Sequence, residues 1–443
     1  MKKNMKRLLA VFVLVLIAVI IWQYPKLNII SGFAAKNAAS SIYISNRSLE
    51  SIEENDHNVP LVKLADTEYD HSTHTSRASV YGLMKREALC REGLGCVLVN
   101  DDIDPKLYSI TPKRQFKKSP LPYPFGDGKE KDTLFENVDY TKLATALDHV
   151  FMDTVKTRTV LVLYKDYIIA ERYSDGFDKN TPILGWSMTK SILATLYGIL
   201  EYQGKLHTGD LVPLPSWQQD ERKNITLNHL LRMQSGLAWD EDYTSISDVT
   251  KMLFMESNMA VSQAKKKIVA QPGEVWNYSS GTSNLLSGIL RTQFNTYENY
   301  LNFPYKALID NIGMHSMILE TDLSGNFVGS SYGWANTRDW GKFGLLYLHK
   351  GNWNGLQLFD PSWSAYVTTP TKNSEGVYGA HFWLNAEGKF PDVPRDLFSA
   401  NGYQGQHVFI IPSKDLVVVR TGLAEDPYFN TNIFLREIID AIQ

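Results

Sequence analysis

Gly185-Trp186-Ser187-Met188-Thr189-Lys190-Ser191 stands at the head of an apolar-periodic stretch that runs to Gly204. The spacing predicts a helix with Ser187 in its first turn and Lys190 one turn further on. Residues three apart share a helix face, so the hydroxyl and the amine can converge. A serine beside an amine base is one way to build an acyl-transfer nucleophile. Taken alone, the pattern also fits an ordinary helix start with a surface lysine. A second Ser-x-x-Lys, Ser262 to Lys265, is followed by Lys266 and Lys267 and reads as a solvated basic helix face.

The flanking sequence alternates between strand and helix patterns. Tyr140 to Phe151 reads as an amphipathic helix with Leu143, Ala146, Leu147 and Val150 on one side. Thr159 to Tyr164 and Tyr167 to Tyr173 are β-branched and aromatic runs around Lys165-Asp166, a hairpin signal. Residues 205 to about 350 read as mostly helical, with Thr226 as an N-cap and helix patterns over Val249–Ala260, Asn284–Phe294, Tyr305–Ile312 and Asp339–His349. Strands return at Val377–Asn385, Gln406–Ile411 and Leu416–Arg420. Asn430 then caps a last helix whose apolar face is Ile433, Phe434, Ile438, Ile439 and Ile442. The order predicts an α/β (α+β) body, with a sheet drawn from both ends of the sequence and a helical lobe inserted between them.

At the N-terminus, Lys2, Lys3, Lys6 and Arg7 precede an unbroken apolar run from Leu8 to Trp22. Basic residues before the run and a polar chain after it place the body on the extracytoplasmic, periplasmic side of the envelope. An uncut signal anchor is the preferred reading; cleavage after Ala35 is the alternative. The chain thus divides into a basic tail (1–7), an anchor or signal peptide (8–22), an extension (24–135) and a main body (136–443). Within the extension, Asp66 to Ser79 reads as irregular and 103–128 as a proline-rich arm. Export favours a disulfide between Cys90 and Cys96, with Gly93 and Gly95 letting the short loop turn; two buried free thiols are the alternative. The 443 residues carry a net charge of −3 and no long basic stripe beyond the N-terminus, so no nucleic-acid partner is expected.

Two further motifs bear on chemistry. Pro272-Gly273-Glu274-Val275-Trp276-Asn277-Tyr278-Ser279-Ser280 puts a tyrosine on a loop before a helix. A phenol near an ammonium can lose or lend its proton more easily and relay it to a leaving group. Asn401-Gly402-Tyr403-Gln404-Gly405-Gln406 enters a strand, where glycines let a substrate approach the backbone. A backbone N–H there, paired with that of Ser187, would bind an oxyanion.

With these three motifs in this order, the chain resembles the serine hydrolases of the class C β-lactamase and penicillin-binding type. Within them it is most like the esterase and 6-aminohexanoate-dimer hydrolase-like branch. LLRMQSGLAW from Leu230 to Trp239 and RDWGKFGLLYL from Arg338 to Leu348 fit the same family, and the resemblance covers about 135–443. It implies a β-lactamase/transpeptidase-like fold, with Ser187 as the acylated residue, Lys190 as general base and Tyr278 as the tyrosine of the Tyr-x-Asn element. Ser280 stands where many β-lactamases have Asn. Tyr403-Gln404-Gly405 stands where they have Lys-Thr-Gly, with the N–H of Gln406 as second oxyanion donor. The missing lysine argues against efficient β-lactam hydrolysis but not against acyl transfer.

The expected activity is therefore cleavage of an amide or ester of a small molecule or short peptide through an acyl-enzyme, with no metal or organic cofactor required. Tyr243, Trp239, Trp276 and Tyr403 are candidates for an aromatic cleft, with Asp240 or Glu241 meeting an amine. A penicillin-binding or sensor protein that is acylated with little turnover, and a non-catalytic envelope scaffold, are the rival classes.

Overall fold

Val160–Tyr164, Val408–Ile411 and Leu416–Val419 carry apolar or aromatic residues at every position, not at alternate ones. In the computed structural model, which describes residues 2–131 and 133–443, both sheet faces are covered. The main sheet contains β5 (Thr157–Tyr164), β6 (Tyr167–Tyr173), β7 (Trp383–Leu384), β8 (Phe398–Gly402), β9 (Gln406–Ile411) and β10 (Leu416–Gly422). Its order is β7-β8-β9-β10-β5-β6, and every pair is antiparallel. Successive side chains point to opposite faces. Val160, Val162 and Tyr164 join one core with Phe409, Ile411, Leu416 and Val418. Leu161 and Leu163 join the other with Val408, Ile410, Val417 and Val419.

The first core is closed by α2 (Tyr140–Val150) and by the C-terminal helix α9 (Thr431–Asp440). All four residues expected on the inner face of α2 are buried. In α9, capped by Asn430 as expected, the buried set is Phe434, Leu435 and Ile438, while Ile433 is exposed.

The second core is closed by α3 (Met188–Tyr202) and α8 (Thr337–Leu348), and the helical lobe packs beyond them. That lobe holds α4 (Leu227–Leu231), α5 (Asp248–Met255), α6 (Ala260–Ala264) and α7 (Ser280–Thr292). It is less continuous than expected. The stretch 249–260 breaks at Glu256 into α5 and α6, and the segment expected as a helix to Ile312 is a single π turn, Tyr305–Ile309. Val377–Asn385 yields only the two residues of β7, with Tyr378 bridged back to Trp383.

The N-terminal region differs most from expectation. One helix, α1 (Lys2–Ser45), continues past Pro25. Its first half is exposed, and from Ile30 onward it packs against the body. Met1 of the basic tail and the side chains of Lys2, Lys3, Leu16, Ile20 and Trp22 lie outside the described residues. Asp66 to Ser79, read as irregular, forms strands: β1 (Ala65–Asp70), β2 (Thr75–Val80), β3 (Leu83–Arg91) and β4 (Gly95–Leu98) make an antiparallel meander. Polar residues with few apolar partners hide a strand when the buried face is set by a distant helix, here α1. Cys90 and Cys96 face each other across β3 and β4 and are disulfide-bonded, with Gly93 and Gly95 at positive φ in the turn.

Candidate active site

Ser187 opens α3 as its N-cap residue, with φ −65° and ψ −7°. Trp186 before it adopts φ +48°, a left-handed conformation costly for a bulky residue. The turn is locked: the Gly185 and Trp186 carbonyls accept from the N–H groups of Met188 and Thr189 at 3.1 and 3.0 Å, and Thr189 Oγ1 also donates to Trp186 O at 2.7 Å. Position 185 must be glycine, because a Cβ there would lie 2.4 Å from the Trp340 ring.

Lys190 is buried one turn along α3, 1% exposed. Its Nζ lies 2.9 Å from Ser187 Oγ, 2.9 Å from Ser280 Oγ and 2.9 Å from the Ser330 carbonyl. Burial lowers its pKa to about 8, although the Glu241 carboxylate pulls the other way. A substantial neutral fraction near neutral pH follows.

Glu241 holds the polar network together. Its carboxylate accepts from Ser280 N–H at 2.9 Å and Tyr243 O–H at 3.0 Å, and also from Ser280 Oγ and the Trp239 indole N–H. The directions of these bonds matter. A carbonyl and a carboxylate only accept. Ser280 gives its proton to Glu241 and so accepts from Lys190. A neutral Lys190 then spends its two N–H bonds on Ser330 O and Ser280 Oγ, and its lone pair faces Ser187. Of the two acidic candidates named for the cleft, Glu241 takes this place. Asp240 is exposed, caps Asp242 N–H and meets none of the site residues.

Tyr278 lies with its ring 4.9 Å from Lys190 Nζ, packed on Trp383 and Tyr378. The ammonium was expected to ease loss of the phenolic proton. The opposite holds: burial and then Glu241 raise the phenol, against a smaller opposing effect of a side-chain hydrogen bond to Ser187. The ammonium sits over the ring face, not at the hydroxyl. Tyr278 therefore keeps its proton.

Gln406 begins a strand, as the sequence predicts. That strand, β9, is interior, between β8 and β10, and the buried Gln406 carboxamide bonds to Gly422 N–H and C=O at 3.0 and 2.7 Å. The strand that meets the nucleophile turn is β8. Its pairing with β7 covers only Phe398 and Ser399, which leaves the edge at Ala400–Gly402 open. Gly402 abuts the Gly185 carbonyl so closely that a Cβ would lie 2.1 Å from its oxygen. Tyr403 and Gln404 form the hairpin tip, with Gln404 at φ +61°. The Tyr403 ring stacks on Tyr243 at 5.8 Å and meets Trp186 edge-on at 5.7 Å. The predicted aromatic cleft is thus two groups, Trp186–Tyr243–Tyr403 on one side and Trp276–Tyr278–Tyr378–Trp383 on the other. Tyr378, Trp383 and Ser330 carried no sequence signal of their own, because only folding brings them to Tyr278 and Lys190.

His381 is buried behind Lys190. Its Nδ1 donates to Leu231 O at 2.7 Å, Nε2 accepts from Ser283 Oγ at 2.9 Å, and burial lowers its pKa to about 3. It is neutral at physiological pH and acts as a packing and hydrogen-bonding post. Among the described residues there is no cluster of His, Cys, Asp and Glu suited to a metal ion.

A sequence-family profile described as Beta-lactamase matches residues 144–429. No curated protein matches the chain by sequence. Among solved structures, the chain is similar to a protein assigned as a 6-aminohexanoate-dimer hydrolase from Bacillus anthracis, 19% identical over 72% of this chain and 87% of that one, with a TM-score of 0.57. It is also similar to a penicillin-binding protein homologue from Caulobacter crescentus, 13% identical over 71% and 100% of the two chains, TM-score 0.54. A D-stereospecific amidohydrolase from Streptomyces sp. gives 15% identity over 69% and 98%, TM-score 0.51. At these identities the likeness is one of fold. The antiparallel sheet flanked by helices, with its inserted helical lobe, and the match across most of the body agree: this chain belongs to the beta-lactamase family.

Proposed function

We propose that the protein is a serine hydrolase that cleaves an amide or ester through an acyl-enzyme at Ser187, of the esterase and 6-aminohexanoate-dimer hydrolase-like kind. The observation that carries this is the 2.9 Å contact between Ser187 Oγ and a buried Lys190 whose other bonds leave only its lone pair for the serine proton. Neutral Lys190 takes that proton as Oγ attacks the carbonyl carbon. The N–H of Ser187 lies at a helix start, outside the helix ladder, and meets the oxyanion. The second donor comes from the open β8 edge near Gly402, not from Gln406. Tyr278 relays to the leaving group the proton that Lys190 took from Ser187, receiving one as it gives one and so remaining a phenol as the tetrahedral adduct collapses. Water then attacks the ester of Ser187, and the acid departs. In this hydrolytic step a proton from water returns to Ser187 Oγ by the same route.

We assign substrate contact to Tyr403, Gln404 and Tyr243; Ser280, fully buried, acts through its hydrogen bond to Lys190. The lysine that would hold a β-lactam carboxylate is replaced by Tyr403, which favours a neutral acyl group. The first half of α1 is long and apolar enough to cross a membrane. We read it as an anchor that holds the body on the extracytoplasmic side. Cleavage after Ala35 would strip away Ile30 to Ala34, which are packed on the body.

The test is intact-mass analysis after treatment with a fluorophosphonate, with Ser187→Ala alongside. The expected result is one adduct on Ser187 and loss of p-nitrophenyl ester turnover by at least ~10³-fold in the variant. Turnover at the wild-type rate in folded Ser187→Ala protein would overturn the assignment.

A further inference from the structure

A cavity of about 290 Å³ opens beside the nucleophile turn and is walled by the N-terminal helix. From α1 come Ile29, Ile30 and Phe33; from the helical lobe come Ile246, Leu253 and Phe254. Lys26 is its sole charged lining residue. Its inner end is the Trp186–Tyr243–Tyr403 group, the same aromatic group that flanks Ser187. The Tyr243 hydroxyl reaches Ser280 Oγ at 3.3 Å, and Ser280 is itself bonded to Lys190. The cavity therefore begins one aromatic ring from the catalytic network.

Its outer wall carries a second observation. Ile29 and Phe33 continue the helix whose preceding turns, Leu8 to Val15 among them, are exposed and apolar. The cavity lies at the end of the body nearest that segment. A largely apolar space walled on one side by the helix that continues from the exposed apolar turns, and on the other by Trp186, the chain neighbour of Ser187, suits one occupant, a hydrocarbon chain. Thr244, Ser245, Thr250 and Gln404 also line the space, but its wall toward α1 is Ile29, Ile30 and Phe33, against which a polar peptide would leave its amides unpaired.

We propose that this cavity is an acyl-chain subsite and that the substrate is a long-chain acyl ester or amide drawn from the membrane. The inference rests on the nucleophile reading above. The carbonyl lies at Ser187, and the chain passes beside the Tyr243–Tyr403 pair toward Ile29 and Phe33. The chemistry is that already written: the Ser187 Oγ–acyl bond forms as the bond to the alcohol or amine breaks, the leaving group takes the proton, and water releases a fatty acid.

The test uses the full chain in phospholipid nanodiscs, with p-nitrophenyl esters of two to twelve carbons below their micelle concentrations. The variants are Ile246→Trp and Ile29→Trp, which fill the cavity from opposite walls. In the wild type, kcat/KM should rise by about fourfold per added methylene over the middle of the series, as each CH₂ leaves water. In each variant the ratio of ten-carbon to two-carbon kcat/KM should fall at least ~10-fold relative to wild type. Since bilayer partitioning is common to all three proteins, that comparison isolates the cavity. Trapping the acylated intermediate by acid quench should show the long acyl mass on Ser187. A profile flat with chain length, or one unchanged in both variants, would overturn the subsite while fluorophosphonate labelling of Ser187 left the nucleophile in place. Failure of that labelling would remove the nucleophile reading and this inference with it.

Discussion

Lys190 has three oxygen partners at one distance, and their chemistry separates them. Ser330 O has no proton, Ser280 has given its own to Glu241, and Ser187 alone has one to transfer. Two outcomes follow at this scale. Because activity requires the neutral amine, kcat/KM should rise with pH and level off above a midpoint of about 8, measured as a pH–rate profile of ester hydrolysis. A midpoint near the ordinary lysine value of ~10.4 would mean the base is not desolvated. Glu241→Gln removes a carboxylate that raises the Lys190 pKa, so the midpoint should move to lower pH. The same change lets the new amide donate to Ser280, which frees the Ser280 proton to compete for the Lys190 lone pair. kcat should fall by roughly 10–100-fold while the fold survives. A purely structural Glu241 would leave the midpoint where it was.

Among the elements, α1 is bound to the body by a buried ionic contact. Lys36 Nζ meets Glu320 at 2.7 Å, with side chains 7% and 0% exposed. The same carboxylate accepts from Ser40 Oγ at 2.8 Å, Cys96 N–H at 2.7 Å and Trp334 Nε1 at 2.8 Å. One carboxylate thus ties α1, the disulfide hairpin and the short strand Gly333–Ala335, which pairs with Ile183–Leu184 just before the Ser187 turn. Removing one partner leaves a buried unpaired charge. Lys36→Met should destabilise by about 3–5 kcal/mol in urea unfolding, and Lys36→Met with Glu320→Leu should regain much of that. The double variant proving no better than the single would mean that Glu320 acts through its other three bonds. α3 shows the complementary case. Met188 to Leu200 are all buried, so this helix can carry Lys190 only because the site supplies its polar partners.

At the scale of the molecule, α1 serves two environments. Its first half is exposed and apolar, and its second half lies on β2, β3, β4 and α5. Deleting residues 2–22 should yield a folded protein that no longer sediments with membranes and still labels at Ser187. Deleting residues 2–45 should expose Glu320 and the inner face of the β1–β4 meander, giving aggregated or protease-sensitive protein. Equal solubility and labelling of both deletions would show that α1 contributes nothing to the fold.

The sequence by itself determined what depends on short spacing and strong periodicity. Ser187 and Lys190 are three apart on one helix, Tyr164 and Tyr167 flank a two-residue turn, and Cys90 and Cys96 close a short loop. These distances are set by helix rise and turn geometry, so pattern alone reaches them. Apolar runs likewise marked the strands of the central sheet and the face of α2. The tertiary structure decided everything carried by contacts distant in sequence. It chose Glu241 over Asp240, because one side chain turns into the network and its neighbour turns out to solvent. It left the β8 edge at Ala400–Gly402 without a strand partner beside the turn at Gly185 and put Gln406 in an interior strand, because strand order, not motif position, determines which edges stay open. It kept Tyr278 protonated, because burial outweighs a cation lying over the ring. It made strands of Asp66 to Ser79, because the helix that covers them is many residues away. A hydroxyl's partner, an edge's exposure and a group's desolvation are properties of the packed molecule, and local sequence does not encode them.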